Sequence, residues 1–183
     1  MKQRNYIILD ACVLLNLLAT GILEEILSLV AQRSMICLLV KDESLYLRNE
    51  VDVSENEAVE LIQLVQNGIL NICDFESDVE QELFVNFAVR LDDGEAMSLA
   101  LALSRNWHLA TDDKKARKVF IENNPDNQFL ISTSDLIKEW AISTSADNIE
   151  VKNVLVRVER KARFRPPNSD VNLQWWNDIL STE

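Results

Sequence analysis

Glycine, proline, cysteine and histidine are all scarce in this chain of 183 residues, which has three each of the first three and a single histidine. Neither glycine-rich loop that cradles nucleotide phosphates, Gly-x-x-x-x-Gly-Lys-Ser/Thr or Gly-x-Gly-x-x-Gly, is present. Cys12, Cys37 and Cys73 lie in apolar segments without a Cys-x-x-Cys pair, which is typical of reduced core thiols. The lone His108 beside Trp107 argues against a Ser-His-Asp or Cys-His hydrolase.

No apolar run has the length of a signal peptide or a membrane span, since Lys2 and Arg4 lead directly into a short run that ends at Asp10. We therefore expect a cytoplasmic protein with no membrane contact. The apolar fraction of 48% is enough for one sizeable core. The expected organisation is one domain over residues 1–142 and a C-terminal extension over residues 143–183.

The formal net charge of −12, from 18 basic and 30 acidic residues, argues against coating of nucleic acid by overall charge. Half of the basic residues nevertheless fall in two short stretches: Lys114, Lys115, Arg117 and Lys118, and Arg157, Arg160, Lys161, Arg163 and Arg165. Either stretch is a local phosphate-binding surface or a solvated helix face.

Short, non-alternating apolar runs predict buried parallel strands at residues 6–9, 35–40, 69–72, 107–110 and 129–131. Apolar positions at helical spacing fill the segments between them. Strands that alternate with helices predict an α/β fold: a parallel sheet of about five short strands flanked by helices.

The α/β pattern ends near Trp140. Residues 149–158 carry apolar positions at helical spacing, although their β-branched content leaves a strand open. Residues 168–180 predict a short final helix. Its Trp175 and Trp176 either pack back onto the domain or form a patch for a partner.

Acidic residues stand at three junctions where a predicted strand or loop gives way to a helix. They are Asp10, Glu95 and the pair Asp112 and Asp113. Each could merely cap its helix. However, the carboxyl ends of parallel strands share one edge of a sheet, and clustered carboxylates call for a cation. Hard oxygen ligands favour Mg²⁺ or Mn²⁺, which suit the hydrolysis of a phosphodiester bond.

The most specific motif is Asp-Gly-Glu-Ala-Met-Ser-Leu-Ala-Leu-Ala at residues 93–102, followed by Leu-Ala-Thr-Asp-Asp-Lys-Lys-Ala-Arg at residues 109–117. Together with the Asp that closes the first strand, this order resembles the PIN-domain nucleases, which include the toxin ribonucleases of prokaryotic toxin–antitoxin pairs. The resemblance covers residues 6–140. It implies a PIN-like three-layer sandwich and a Mg²⁺- or Mn²⁺-dependent endoribonuclease.

By this resemblance, Asp10, Glu95, Asp112 and Asp113 are the catalytic and metal-binding carboxylates. Lys114, Lys115 and Arg117 then help to seat the RNA backbone. The partners it implies are RNA, a cognate antitoxin and a second copy of the chain.

This sequence departs from the family pattern after the second strand. The family places a further Glu there, soon after a proline, whereas this chain lacks the proline and has Leu47 near that position. Glu43 is the candidate for the additional acid, and Glu50 is another.

Two alternatives follow. One is a catalytically weak or inactive PIN-like module that binds RNA or a protein partner. The other is a phospho-accepting receiver domain, which requires its acid pair on the first strand; here the pair comes late in the chain.

Overall fold

The computed structural model of the chain describes residues 4–41, 55–124 and 129–182, without the side chains of residues 55–60. Five parallel strands form one sheet in the order β3-β2-β1-β4-β5. They are β1 (Arg4–Leu9), β2 (Ala31–Cys37), β3 (Leu70–Cys73), β4 (His108–Ala110) and β5 (Leu130–Ile131). The predicted α/β class with a five-stranded parallel sheet is confirmed.

Helices separate the strands. In chain order they are α1 (Ala11–Thr20), α2 (Leu23–Val30), α3 (Glu55–Gln66), α4 (Asp78–Ala88), α5 (Asp93–Arg105), α6 (Lys114–Asn123), α7 (Thr133–Thr144), α8 (Asn148–Lys161) and α9 (Leu173–Leu180). Residues 38–41 are also helical.

The strand order reverses at β1. The chain runs outward from β1 through β2 to β3, and then crosses back to place β4 on the other side of β1. Because such crossovers are right-handed, this reversal puts helices on both faces of the sheet. Helix α5 contacts β1, β2 and β4, whereas α1 and α2 pack against α7 and α8. The carboxyl ends of the central strand β1 and of its neighbour β4 are thus buried, with Ile7, Ile8, Leu9 and Ala110 fully inaccessible.

Polar side chains begin most of the helices, as expected for a chain with few glycines and prolines. Asp10 caps α1, Ser77 caps α4 and Asp113 caps α6 through backbone N–H groups. Ser132 and Asp135 form a reciprocal capping box on α7. These caps satisfy N–H groups that a helix leaves without intrahelical partners.

Two predicted boundaries were wrong. The strand expected at residues 35–40 runs instead over Ala31–Cys37, because the apolar sequence continues through Leu38, Leu39 and Val40 after the backbone has become helical. The last helix begins at Leu173, five residues after the expected start, because residues 168–172 form a turn that docks on α7. The segment left open between helix and strand is the helix α8.

The C-terminal extension packs on the α/β unit. Helix α8 contacts α1, and α9 contacts α8. Trp176 on α9 is fully buried, and its Nε1 donates a hydrogen bond to Glu159 Oε1 at 3.0 Å. Trp175 is partly buried, with Lys138 Nζ 5.5 Å from the centre of its ring. Trp176 therefore belongs to the core of the chain, and the domain boundary at residue 142 stays a prediction.

Among the described residues, no helix has both the length and the apolar character needed to cross a membrane.

We predict that Trp176→Ala lowers the free energy of unfolding by about 3–5 kcal/mol, because it leaves a large cavity between α8 and α9. Urea denaturation followed by circular dichroism measures this loss. Val171→Ala, at a side chain that is 87% exposed, is the control and should change stability by less than about 0.5 kcal/mol. A Trp176→Ala loss no larger than that of the control would show that the extension does not share the core.

Candidate active site

The predicted acidic residues lie at the carboxyl edge of the sheet, where the strand order reverses between β1 and β4. In parallel α/β sheets this crevice is the usual place for a ligand. Asp10 follows β1 directly, and its backbone N–H donates to Ala110 O at 3.0 Å, so the β1–β4 pairing continues to the first acidic residue. Thr111, the next residue after β4, donates its own N–H to Ile131 O at 3.1 Å.

Asp10 is held by three donors. Its Oδ1 accepts from Ala11 N at 2.7 Å, while its Oδ2 accepts from Thr111 Oγ1 at 2.7 Å and from Cys12 Sγ at 3.2 Å. The side chain is almost fully buried, and this burial raises its pKa. The hydrogen bonds oppose that shift, because they favour the charged carboxylate. Within the described part of the chain, Oδ1 accepts only this one hydrogen bond, which leaves it room for a further partner.

Asp113 begins α6. Its Oδ1 accepts from Lys115 N at 2.7 Å and from Ala116 N at 2.8 Å. Its own N–H donates to Thr111 Oγ1 at 3.2 Å, so the Thr111 hydroxyl links the Asp10 carboxylate to the backbone of Asp113. Oδ2 of Asp113 accepts no hydrogen bond from any residue that the structure describes. Capping therefore uses one oxygen of this carboxylate and leaves the other available.

Glu95 lies in the first turn of α5 and is half-buried. Burial, followed by the negative charges of Asp113 and Asp10, raises the pKa of this carboxyl to about 7. Its Oε2 accepts a long hydrogen bond from Asp92 N at 3.4 Å, which completes a capping box. Three acidic side chains from α1, α5 and α6 thus repel one another in a single region.

Asp112 faces a different set of partners. Its Oδ1 accepts from Thr133 N at 3.0 Å, and its Oδ2 accepts from Thr133 Oγ1 at 2.5 Å and from Asn16 Nδ2 at 3.0 Å. Thr133 is inaccessible and Asn16 is 6% exposed, so these bonds tie α1 and α7 to the end of β4. The structure thus gives these two adjacent acids different roles. Asp112 joins two helices to the end of β4, whereas the charge of Asp113 acts on Asp10 and Glu95.

The chemistry of this donor set fits a hard divalent cation. Carboxylate oxygens are the ligands that Mg²⁺ and Mn²⁺ prefer, and a cation would relieve the repulsion that raises the pKa of Glu95. The convergence is incomplete, however. Residues 4–41, 55–124 and 129–182 contain no group of three or more His, Cys, Asp or Glu side chains that could hold a metal ion together. Glu43 and Glu50, the candidates for an additional acid, lie outside the described residues.

The predicted RNA-binding residues differ in how they are held. Lys114 and Lys115 are exposed in the first turn of α6. Arg117 is partly buried, and its Nη1 donates to Thr111 O at 2.8 Å and to Ile131 O at 3.3 Å. Arg117 therefore fixes the ends of β4 and β5 while its remaining N–H groups stay available.

Sequence reasoning missed three residues of this region: Thr111, Asn16 and Thr133. Asn16 has a readable signal, since it is the one strongly polar side chain inside the apolar sequence of α1. A buried amide in such a helix needs a partner. Thr111 and Thr133 have no comparable signal, because a threonine at a strand end or in the first turn of a helix is common.

A family model described as a PIN domain, DUF3368, matches residues 6–124, about two thirds of the chain. This chain belongs to the PIN-domain family. No curated protein matches it, and no solved structure matches it. The matched region contains β1 to β4 and helix α6, and therefore all of Asp10, Glu95, Asp112 and Asp113.

PIN domains are generally nucleases, and they typically use divalent metal ions. The family thus identifies the chain as nuclease-like. All of the C-terminal extension, and also β5 and α7 before it, lies beyond the matched residues of this PIN domain.

We predict opposite effects on stability from two neighbouring substitutions. Asp112→Asn turns an amide toward donors from Thr133 or Asn16 and should lower the free energy of unfolding by about 1–3 kcal/mol. Asp113→Asn keeps a side chain that caps a helix as well as Asp does and removes a repelling charge, so it should leave stability unchanged or raise it. Urea denaturation of both variants at pH 7.5 without metal measures the difference. A larger loss for Asp113→Asn would contradict the separation of roles.

A second prediction concerns pH. The folded pKa of Glu95, about 7, lies above its ordinary value of 4.5. Between these values the folded state binds more protons than the unfolded state, so this carboxyl lowers stability as the pH rises through the window. Glu95→Gln, which can still close the capping box, should be more stable than the parent above pH 7. Below pH 4.5 the difference should disappear. Urea denaturation of metal-free protein from pH 4 to 8 tests this, and a difference that does not vary with pH would refute it.

Proposed function

We propose that this PIN domain is a Mg²⁺- or Mn²⁺-dependent endoribonuclease that hydrolyses phosphodiester bonds of RNA. Asp10, Glu95 and Asp113 are the proposed metal-binding carboxylates. Asp112 has a structural role in this proposal: its hydrogen bonds join the end of β4 to α1 and α7. Glu43, outside the described residues, remains the proposed additional acid.

The observation that carries this proposal is that the half-buried Glu95 lies close enough to two other acids for both of their charges to act on it. Capping alone needs no charge at these positions, since Ser, Thr or Asn can replace Asp as a cap and Gln can replace Glu95 in the capping box of α5. Here burial raises the pKa of Glu95, and the charges of Asp113 and Asp10 act in the same direction. An arrangement that costs energy in the metal-free protein is expected where a cation binds.

Each residue has a distinct task in the proposed reaction. A divalent ion, when bound, polarises the scissile phosphate and lowers the pKa of the attacking water. Thr111 and Cys12 donate to Asp10 and hold its carboxylate in one orientation. Asp113 Oδ1 accepts from the backbone of α6, and its Oδ2, which accepts no hydrogen bond from the described residues, is the oxygen proposed to face the ion. Lys114 and Lys115 attract the phosphates of the RNA strand.

A finer proposal follows from the motif resemblance of the sequence. The chain is then the cytoplasmic toxin of a toxin–antitoxin pair, with a cognate antitoxin and a second copy of itself as protein partners. The division into a nuclease domain of residues 1–142 and an extension of residues 143–183 is part of the same proposal.

We predict that the purified chain cleaves single-stranded RNA with Mg²⁺ or Mn²⁺ and that a chelator stops the cleavage. Asp10→Asn, Glu95→Gln and Asp113→Asn should each reduce the rate roughly a hundredfold or more, since a lost ligand removes several kcal/mol of charge stabilisation. Gel analysis of a labelled RNA measures the rate.

Asp93→Asn is the matched control, because Asp93 is an exposed acid in the same helical turn as Glu95. Its activity should stay within about twofold of the parent. Equal activity of Asp10→Asn and the parent would rule out the nuclease assignment of this site.

One observation favours a second candidate, a catalytically weak PIN-like module that binds RNA or a protein. No group of three metal-binding side chains converges within the described ranges. Isothermal titration of the metal-free chain with Mn²⁺ separates the two candidates. Binding that is lost in Asp113→Asn supports the nuclease, whereas no heat of binding together with retained RNA binding supports the module.

A further inference from the structure

A pocket of about 390 Å³, with Asp112 in its lining, lies between α6 and the C-terminal extension. One wall is a face of α6 that carries Lys114, Arg117, Lys118 and Ile121. The extension contributes Pro167, Ser169 and Asp170 to the lining, and Asp112 and Ser132 complete it. Its volume falls within the range of about 300–1,000 Å³ that is usual for small-molecule sites.

The cations of this pocket are available for a ligand. Neither Lys114 nor Lys118 has a hydrogen bond or an ion pair with any residue that the structure describes. Arg117 uses Nη1 for Thr111 O and Ile131 O, while its Nε and Nη2 have no partner in the same ranges. Its guanidinium is therefore held in place with N–H groups to spare, an arrangement suited to a phosphate.

The acids of the pocket are already engaged. Glu122 Oε2 accepts from Arg90 Nη1 at 2.7 Å, and both oxygens of Asp112 are filled by Asn16 and Thr133. Asp170 accepts from Ser134 Oγ and from Asn172 N, the latter at 2.7 Å. Each of these acids thus has a partner, and the charged side chains of the pocket without one among the described residues, Lys114 and Lys118, are positive.

Hydrogen bonds hold the part of the extension that lines the pocket against α7. Asn172, 4% exposed, donates from Nδ2 to Asp135 Oδ1 at 2.7 Å and accepts from Lys138 Nζ at 2.9 Å. Ser134 Oγ lies 2.9 Å from Asp170 Oδ2. Because the turn before α9 is fixed to the first two turns of α7, the pocket is formed before any ligand arrives.

We propose that this pocket binds one nucleotide of a single-stranded RNA next to the bond that is cleaved. Arg117, Lys114 and Lys118 hold its phosphate, and its base lies against Ile121 and Pro167. This inference rests on the proposed nuclease function, since Asp112 in the lining of the pocket is the direct neighbour of Asp113 in the chain. On a chain of net charge −12, RNA must be held by such local cations, and a polymer that reaches Asp113 from the side of α6 passes through the pocket.

Binding is measured by fluorescence anisotropy with the full chain, a chelator and a labelled single-stranded RNA of about ten nucleotides. Lys118→Gln should weaken binding about three- to tenfold and reduce the slope of log affinity against log salt by about one. Ser169→Trp fills the pocket from an exposed position and should weaken binding at least as much. Arg33→Gln removes an exposed cation from the first half of β2 and should have no effect.

The outcomes separate this inference from the nuclease proposal. If Lys118→Gln and Ser169→Trp bind RNA like the parent while the parent cleaves RNA, the pocket proposal is wrong and the nuclease stands. If both variants lose binding but the parent never cleaves with Mg²⁺ or Mn²⁺, the pocket stands and the nuclease fails. If poly-glutamate binds with the same sensitivity to both variants and RNA does not bind, the pocket serves an acidic protein partner and our proposal is overturned. Unchanged urea denaturation of each variant confirms that the fold is intact.

Discussion

The parallel pairing of β1 with β4 is the constraint on which the candidate site depends. This pairing continues beyond the strands through the hydrogen bond from Asp10 N to Ala110 O. It brings the Thr111 hydroxyl to 2.7 Å from Asp10 Oδ2, and the same hydroxyl accepts the N–H of Asp113. Two acids that are about a hundred residues apart in the chain are thereby joined through one side chain. Because strand order reverses at β1, the following helices diverge and leave a crevice above this link.

Helix capping and cation binding are compatible tasks for these acids, because each carboxylate has two oxygens. Oδ1 of Asp113 accepts hydrogen bonds from two backbone N–H groups of α6, and Oδ1 of Asp10 accepts one from Ala11 N. Glu95 closes the capping box of α5 through a weak 3.4 Å bond. The caps fix where each carboxylate lies, and the repulsion between them follows from that fixed placement. A Ser or Asn in place of either Asp, and a Gln in place of Glu95, would keep these caps and remove the repulsion.

Much of this arrangement could be predicted from the sequence, because it depends on local patterns. Buried parallel strands and capped helices leave apolar runs and polar junctions, and the acids at those junctions follow one sheet edge. The different roles of Asp112 and Asp113 could not be predicted from two adjacent acids. They depend on Asn16 of α1 and Thr133 of α7, which are distant in the sequence and donate hydrogen bonds to Asp112. The true end of β2 was also hidden, since an apolar run continues across the change from strand to helix. Docking of the turn before α9 depends on hydrogen bonds between residues more than thirty positions apart.

Helix α6 combines two opposite electrostatic features in a fixed relation. Asp113, the cap of this helix, lies near the other acids. The first turns of the helix place Lys114, Arg117 and Lys118 in the lining of the pocket. A phosphodiester needs both a cation held by acids at the scissile phosphate and positive side chains at a neighbouring phosphate. On two separate elements, the distance between these features would change with every relative movement. On one helix, the helix geometry itself sets the spacing. Asp113 caps the start of this helix, and Arg117 donates hydrogen bonds to residues at the ends of β4 and β5.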